Sequence, residues 1–232
     1  MKTIDIGEFN LNISLGKDGL INTELISYIR NNANVFNKLI NDGFLLPGSI
    51  INTHDCSIEI DNSYNVIIDI VDSLPKNKNV VKYKSRDLSK VEHIVIHHSA
   101  GNLSPQAVAE FHTSPEIIKN GKNIGGRNWP GIAYHFYLYK DKIYMVNRLE
   151  TISFHVANNN TKCIGICVNG NYEKDKLENN GLIFMQIKIL VDYIEKIVGR
   201  KLSIKPHNFF KATACPGNLF PFNDLLKYLN KV

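Results

Sequence analysis

The residues with the clearest chemical potential are a histidine and a cysteine near the C-terminal end of the chain. His207 and Cys215 are eight positions apart, and Thr213 precedes the cysteine by two positions. A neutral imidazole and a thiolate both bind zinc well, and a zinc site needs at least three protein ligands. The spacing is not that of a zinc finger, which uses short Cys-x-x-Cys hooks. One cysteine with two histidines is instead typical of a catalytic zinc site that keeps a position for water.

The residues alone leave three interpretations of Cys215 open. It is a zinc ligand, a nucleophile activated by a histidine, or a buried apolar residue that only packs. The zinc interpretation requires a third ligand from upstream. His97, His98 and His155 are near-equal candidates, although a single histidine at the end of a strand is more often a hydrogen-bonded structural residue.

The candidate histidines lie at the ends of predicted strands. A buried-strand pattern over residues 91–96 runs directly into His97 and His98. Because successive side chains of a strand point to opposite faces, His97 shares a face with His93, and His98 lies on the other face. His135 and His155 follow at the ends of later strands.

Helices and strands alternate through this second part of the chain. The periodicity predicts a helix capped by Ser104, a hairpin of residues 133–139 and 142–146, a strand over 164–168, a helix over 182–198, a strand over 202–204 and a helix over 222–229. This mixture predicts an α/β fold with a central mixed β-sheet flanked by helices. The loop over residues 113–131 contains the single tryptophan, Trp129. Loops of that length are usually functional.

The first part of the chain has a different pattern. Residues 3–15 alternate with a change of phase at Gly7-Glu8, which predicts a strand pair or a bulged strand. A helix over residues 23–40 and strands over 49–51 and 66–71 follow. The lysine-rich stretch over 73–90 indicates a linker or an extended crossing segment. We therefore predict a small α+β domain over residues 1–85 and a second domain over residues 86–232.

The bulk properties restrict the partners. A net charge of +5 and a pI near 8.9 favour an anionic partner, but the basic residues are scattered and no nucleic-acid-binding motif accompanies them. No apolar run approaches the roughly 18 residues of a membrane span. No apolar core follows Lys2, so we expect no secretory signal. Cys163 and Cys167 flank a strand and would lie ~13 Å apart, which is too far for a disulfide.

Residues 91–232 resemble the zinc-dependent N-acetylmuramoyl-L-alanine amidases of the phage-lysozyme and peptidoglycan-recognition-protein type. Four motifs match in order: the first-ligand strand at residues 94–100, the catalytic-tyrosine strand at 129–136, a histidine and the next strand at 155 and 164–166, and the final ligand motif at 207–217.

The resemblance implies roles for individual residues at the predicted metal site. It makes His97, His207 and Cys215 the ligands of one zinc ion per chain. Tyr134 and Thr213 become the catalytic pair.

Further roles follow from the same resemblance. His155 and Trp129 line the substrate groove. Some relatives carry lysine at the position of Thr213, and others carry a glutamate in the strand where this chain has Cys167. The cysteine argues against a glutamate general base and favours Tyr134.

The implied function is hydrolysis of peptidoglycan at the amide between N-acetylmuramic acid and L-alanine by zinc-activated water. The protein would be a phage endolysin or a bacterial autolysin, made in the cytoplasm and acting on the wall after release. The alternative is a non-catalytic peptidoglycan-binding module, although such relatives lose the cysteine ligand. We recognise no motif in residues 1–85, whose role is wall binding, dimerisation or attachment to a larger particle, and the sequence does not choose among these. The sequence indicates no oligomeric state.

Overall fold

The computed structural model describes residues 2–5, 10–13, 50–52, 57–59, 67–178 and 180–230. The chain divides into two compact units, Met1–Ser63 and Tyr64–Val232. The predicted helix over residues 23–40 lies outside the described residues.

The described residues of the first unit form two antiparallel strand pairs. Strand β1 (Lys2–Asp5) pairs with β2 (Asn10–Ile13), and β3 (Ile50–Asn52) pairs with β4 (Ser57–Glu59). The change of phase at Gly7-Glu8 therefore marks a strand pair, one of the two predicted alternatives.

The second unit is built on a six-stranded mixed sheet with helices. The sheet contains β5 (Ile67–Asp69), β6 (His93–His98), β9 (Phe136–Tyr139), β10 (Lys142–Met145), β11 (Cys163–Val168) and β12 (Ser203–Pro206). Strands β7 (Ile118–Lys119) and β8 (Lys122–Asn123) form a separate two-stranded hairpin. The α-helices of the second unit are α1 (Pro105–Thr113), α2 (Asn180–Val198) and α3 (Phe222–Tyr228). The sheet order is β12-β6-β11-β9-β10-β5, and the β9–β10 hairpin is its antiparallel pair. The predicted central mixed sheet is confirmed.

The two faces of the sheet are covered by different helices. On one face, Ile187 and Leu190 of α2 pack in a core with Ile94 and Ile164, and all four are fully buried. Burying each of these side chains contributes about 1.5–3 kcal/mol. On the other face α1 contributes Val108 and other residues to a second core with strand residues of β9 and β11.

Helix α1 begins as its sequence predicts. The Ser104 hydroxyl accepts a hydrogen bond from the Ala107 N–H at 3.2 Å, and Pro105 occupies the first helical position. In the β9–β10 hairpin, Lys140 adopts φ 56° in the predicted turn.

The segment predicted as a linker belongs to the second unit. Strand β5, which precedes this segment, pairs in parallel with β10, and Leu74 within the segment is buried. Farther on, the Tyr83 hydroxyl donates to the Gly131 carbonyl at 2.8 Å, and Arg86 Nε donates to the Leu149 carbonyl at 3.0 Å. The segment is therefore the extended crossing alternative, and the division between the units falls earlier than residue 85.

No helix in the described part of the chain is both long enough and apolar enough to span a membrane.

Candidate metal centre and cleft

His97 lies near the C-terminal end of β6, on the sheet face that α1 covers. His97 is 1% exposed, and its register partner in the neighbouring strand β11 is Cys167. The imidazole ring of His207 is centred 4.4 Å from that of His97, and the ring of Tyr134 is centred 5.2 Å away. These two contacts bring three distant parts of the sequence together.

Strand β12 and the loop after it deliver His207 and Cys215. Pro206 pairs with Ile96 in the parallel ladder, so the next residue, His207, emerges beside His97. The Asn208 N–H then donates to the Cys215 carbonyl at 3.0 Å, which folds the loop back on itself. A side-chain hydrogen bond tightens the turn, because the Thr213 hydroxyl oxygen accepts from the Cys215 N–H at 3.3 Å.

His97, His207 and Cys215 form a three-ligand cluster. One ligand atom from each side chain lies within 4.8 Å of the others. The distance from His97 Nδ1 to Cys215 Sγ is 3.7 Å. Tetrahedral zinc with Zn–N bonds of about 2.1 Å and Zn–S bonds of about 2.3 Å needs an N···S distance of roughly 3.6 Å. The geometry and the donor set therefore fit zinc.

The electrostatics of the cluster suit a cation. Burial, helped by nearby His155 and His207, holds the pKa of His97 well below its ordinary value, so its imidazole is neutral and able to ligate. Burial also raises the pKa of the Cys215 thiol to about 12, although the His98 N–H points at the sulfur from 3.4 Å and opposes the rise. A bound cation would lower this pKa and favour the thiolate.

A chain of hydrogen bonds fixes which nitrogen of His97 faces the cluster. His155 Nε2 lies 3.2 Å from the Cys163 carbonyl, which can only accept, so His155 carries its proton on Nε2. His155 Nδ1 therefore accepts from His97 Nε2 at 3.0 Å. This leaves the lone pair of His97 on Nδ1, the atom that faces Cys215.

His155 is thus placed behind His97 as well as beside the cleft. Its side chain is buried, and its ring packs at 5.1 Å on the ring of His97. The other two histidines predicted at strand ends have structural partners: His98 Nδ1 accepts from the Tyr172 N–H, and His135 Nδ1 accepts from the Gly165 N–H. His97 is the upstream histidine that joins the cluster.

Tyr134 and Thr213 both border the cleft beside the cluster. Burial, with nearby Cys167 and Cys215, raises the pKa of Tyr134 well above its ordinary value, so the phenol keeps its proton and is a hydrogen-bond donor. The Thr213 oxygen is already an acceptor, which leaves its hydroxyl proton free to be donated.

The cluster opens into a cleft of about 910 Å³. Trp129 borders it, with its ring 5.0 Å from that of His112 and 6.0 Å from that of Phe154. Two basic residues, Arg127 and Lys211, also border the cleft. Sequence reasoning missed both; the one available signal for Arg127 was its place beside Trp129 in a long glycine-rich loop.

The chain matches known proteins over the second unit. A family model described as N-acetylmuramoyl-L-alanine amidase matches residues 87–218. The peptidoglycan-recognition protein SC1a of Drosophila melanogaster is 29% identical over 131 residues, which cover 55% of this chain and 68% of that protein.

Solved structures share the fold. The endolysin LysCS, an N-acetylmuramoyl-L-alanine amidase from Clostridium intestinale, is 26% identical with a TM-score of 0.54, over 71% of this chain and 95% of that one. The Ph2119 endolysin from a Thermus scotoductus bacteriophage is 23% identical with a TM-score of 0.55, over 70% of this chain and 98% of that one. Because the Ph2119 endolysin is only 23% identical, that match shows a shared fold and nothing more.

Proposed function

Because the chain belongs to the N-acetylmuramoyl-L-alanine amidase family, we propose that it hydrolyses the amide bond between N-acetylmuramic acid and L-alanine in peptidoglycan. One observation carries the proposal: His97, His207 and Cys215 converge at a cleft, and Tyr134 lies beside them. The family match alone would also suit a protein that only binds the wall. The retained cysteine ligand favours hydrolysis.

The three-ligand cluster would hold one zinc ion, with two neutral imidazoles and one thiolate as ligands. Zinc, when bound, acidifies a water molecule and polarises the carbonyl that is attacked. His155 holds His97 in the tautomer that offers its Nδ1 lone pair to the cluster. The N–H of His98 supports negative charge on the Cys215 sulfur.

Tyr134 is the residue best placed to stabilise the reaction's developing charge. Its protonated phenol would donate a hydrogen bond to the amide oxygen as that oxygen becomes negative. A donor aimed at such an oxygen typically accelerates acyl transfer about 10²–10³-fold. Thr213, which also borders the cleft, would donate a second hydrogen bond.

Similarity to known proteins supports a proposal for the place of action. The similar proteins include an endolysin and a peptidoglycan-recognition protein. We infer that this chain acts on the bacterial wall as an endolysin or autolysin after release from the cytoplasm where it is made.

Two variants test the assignment on purified peptidoglycan, with release of new N-terminal alanine and metal content per chain as the readouts. Cys215→Ala should lose both the metal and alanine release. Tyr134→Phe should keep the metal while alanine release falls about 100-fold, because only a hydrogen-bond donor is removed. Cys163→Ala, the same change at a buried cysteine outside the cluster, is the matched control.

Two outcomes would overturn the proposal. Alanine release by Cys215→Ala would exclude the metal assignment. Wall binding by the zinc-loaded wild type without any alanine release would identify a recognition module instead of a hydrolase.

A further inference from the structure

Arg127 is held at the cleft by the end of helix α1. Its backbone N–H donates to the Phe111 carbonyl at 3.2 Å, and the Trp129 N–H donates to the His112 carbonyl at 2.8 Å. The chain approaches the helix so closely at Gly126 that an added Cβ would lie 2.2 Å from the Ser114 carbonyl oxygen. The backbone around Arg127 is therefore fixed by the helix and is not a free loop.

Two aromatic rings hold the guanidinium group. Arg127 Cζ lies 5.5 Å from the ring centre of Phe111 and 5.9 Å from that of Trp129. Contacts of this kind contribute about 0.5–1 kcal/mol at exposed sites and restrict the orientation of the side chain. Both rings border the cleft with Arg127.

The Arg127 charge has no counter-ion in the described part of the chain. No carboxylate of those residues forms an ion pair with it. Among the residues that border the cleft, the acidic one is Glu173, whose carboxylate lies 3.8 Å from His98 Nε2. With Lys211 the cleft carries two cations against one carboxylate. Such a surplus attracts an anionic ligand.

The proposed substrate carries its carboxylates on one side of the amide that is cut. The carboxyl group of N-acetylmuramic acid is consumed in the amide that is cut, so the sugar side offers no carboxylate at that point. Carboxylates belong to the stem peptide. A guanidinium presents a planar fork of N–H donors that matches a carboxylate with two parallel hydrogen bonds.

We propose that Arg127 binds a carboxylate of the stem peptide and makes the site selective for stems in which that carboxylate is free. The inference rests on the proposed function, whose substrate it narrows. Arg127 acts here as a specificity residue. Phe111 and Trp129 position it.

The test compares two muramyl peptides that differ at one group, N-acetylmuramoyl-L-alanyl-D-glutamic acid with its α-carboxylate free or amidated. For the zinc-loaded wild type, kcat/KM should be about tenfold higher for the free acid, mainly through a lower KM. Arg127→Gln should lose that preference by weakening only the reaction of the free acid. Lys122→Gln, which removes a cation from the exposed β7–β8 hairpin, should keep it.

A binding measurement separates this inference from the proposed function. Calorimetry with metal-free protein and the same two peptides should show the same preference in wild type and its loss in Arg127→Gln. If wild type cleaves neither peptide but binds the free acid better, the hydrolase proposal fails and the carboxylate site stands.

Other results would overturn the carboxylate site. If Arg127→Gln lowered kcat/KM equally for the free-acid and the amidated peptide, Arg127 would only support packing. A variant that loses affinity for whole walls but not for either peptide would indicate a different anionic wall polymer as the ligand.

Discussion

At the scale of single residues, the orientation of His97 depends on a neighbour that does not reach the metal. His155 donates to the Cys163 carbonyl and accepts from His97, which points the His97 lone pair at the cluster. Partners of this kind usually change metal affinity 10–100-fold. We therefore expect His155→Phe to weaken zinc binding by about that factor, as measured by competition with a chromophoric chelator.

His93→Phe provides the control for His155→Phe. His93 lies on the same face of β6 as His97, and the substitution is also histidine to phenylalanine. However, His93 is hydrogen-bonded to the Ser203 hydroxyl and lies outside the cluster. The zinc affinity of His93→Phe should equal that of the wild type. An unchanged affinity in His155→Phe would show that His97 adopts its tautomer without help.

The sequence predicts residue types at this site better than their arrangement. The residue types and spacing of His207 and Cys215 suggest a metal-binding pair, but the sequence alone does not show whether His97 or His98 completes it. Those two histidines lie on opposite faces of β6, and the packing of α1 and α2 decides which face borders the cluster. The resemblance placed His155 in the groove, and its contact behind His97 arises from a loop whose path is set by tertiary packing.

At the scale of elements, β11 makes room for His155 with a glycine. A Cβ added at Gly165 would lie 2.7 Å from Nδ1 of His155 and 3.0 Å from its Cγ. Gly165→Ala should push the His155 ring away from His97 and therefore lower zinc affinity, as His155→Phe should. The overpacking should also cost about 1–3 kcal/mol of unfolding free energy. Chelator competition and urea denaturation measure the two effects.

Gly101→Ala is the matched control, because the nearest atom to its added Cβ is 3.9 Å away. It should change neither zinc affinity nor stability appreciably. If Gly165→Ala lost stability but kept wild-type zinc affinity, the link between the strand, His155 and the metal would be wrong.

Local elements were the most predictable part of the fold. Helices α1 and α2 and the β9–β10 hairpin follow from periodicity, capping and turn residues close in sequence. The segment over residues 73–90 is harder to predict, because its lysine-rich composition hides the buried Leu74 and because contacts such as that of Arg86 with the Leu149 carbonyl join it to residues far along the chain. The small β7–β8 hairpin lies within a loop that showed no strand pattern.

At the scale of the whole molecule, buried histidines make folding sensitive to acid. His112 is 7% exposed, and its Nδ1 accepts from the Ala133 N–H at 3.2 Å. Burial, and next the nearby Arg127, lowers the His112 pKa from 6.5 to about 4. His135 is fully buried, and burial likewise lowers its pKa well below the ordinary value. Both residues fold as neutral imidazoles.

The sign of the pH dependence follows from these lowered values. Below pH 6.5 the unfolded chain binds a proton at His112, while the folded chain does not until about pH 4. Stability present above pH 6.5 is therefore lost on acidification. One such group costs about 1.4 kcal/mol per pH unit, or about 3 kcal/mol across this window. We expect the free energy of unfolding to fall accordingly in urea titrations with chelator present throughout.

His112→Asn isolates the contribution of this one residue, because asparagine keeps an acceptor for the Ala133 N–H but does not titrate. Between pH 6.5 and about 4, its free energy of unfolding should fall less steeply than that of the wild type. The difference in slope should correspond to one proton taken up on unfolding, about 1.4 kcal/mol per pH unit. Parallel curves for the two proteins would contradict the prediction. Arg127→Gln should recover a smaller part of the loss, since burial depresses the His112 pKa more than the arginine does. The cation proposed to select the substrate would therefore also reduce stability in acid.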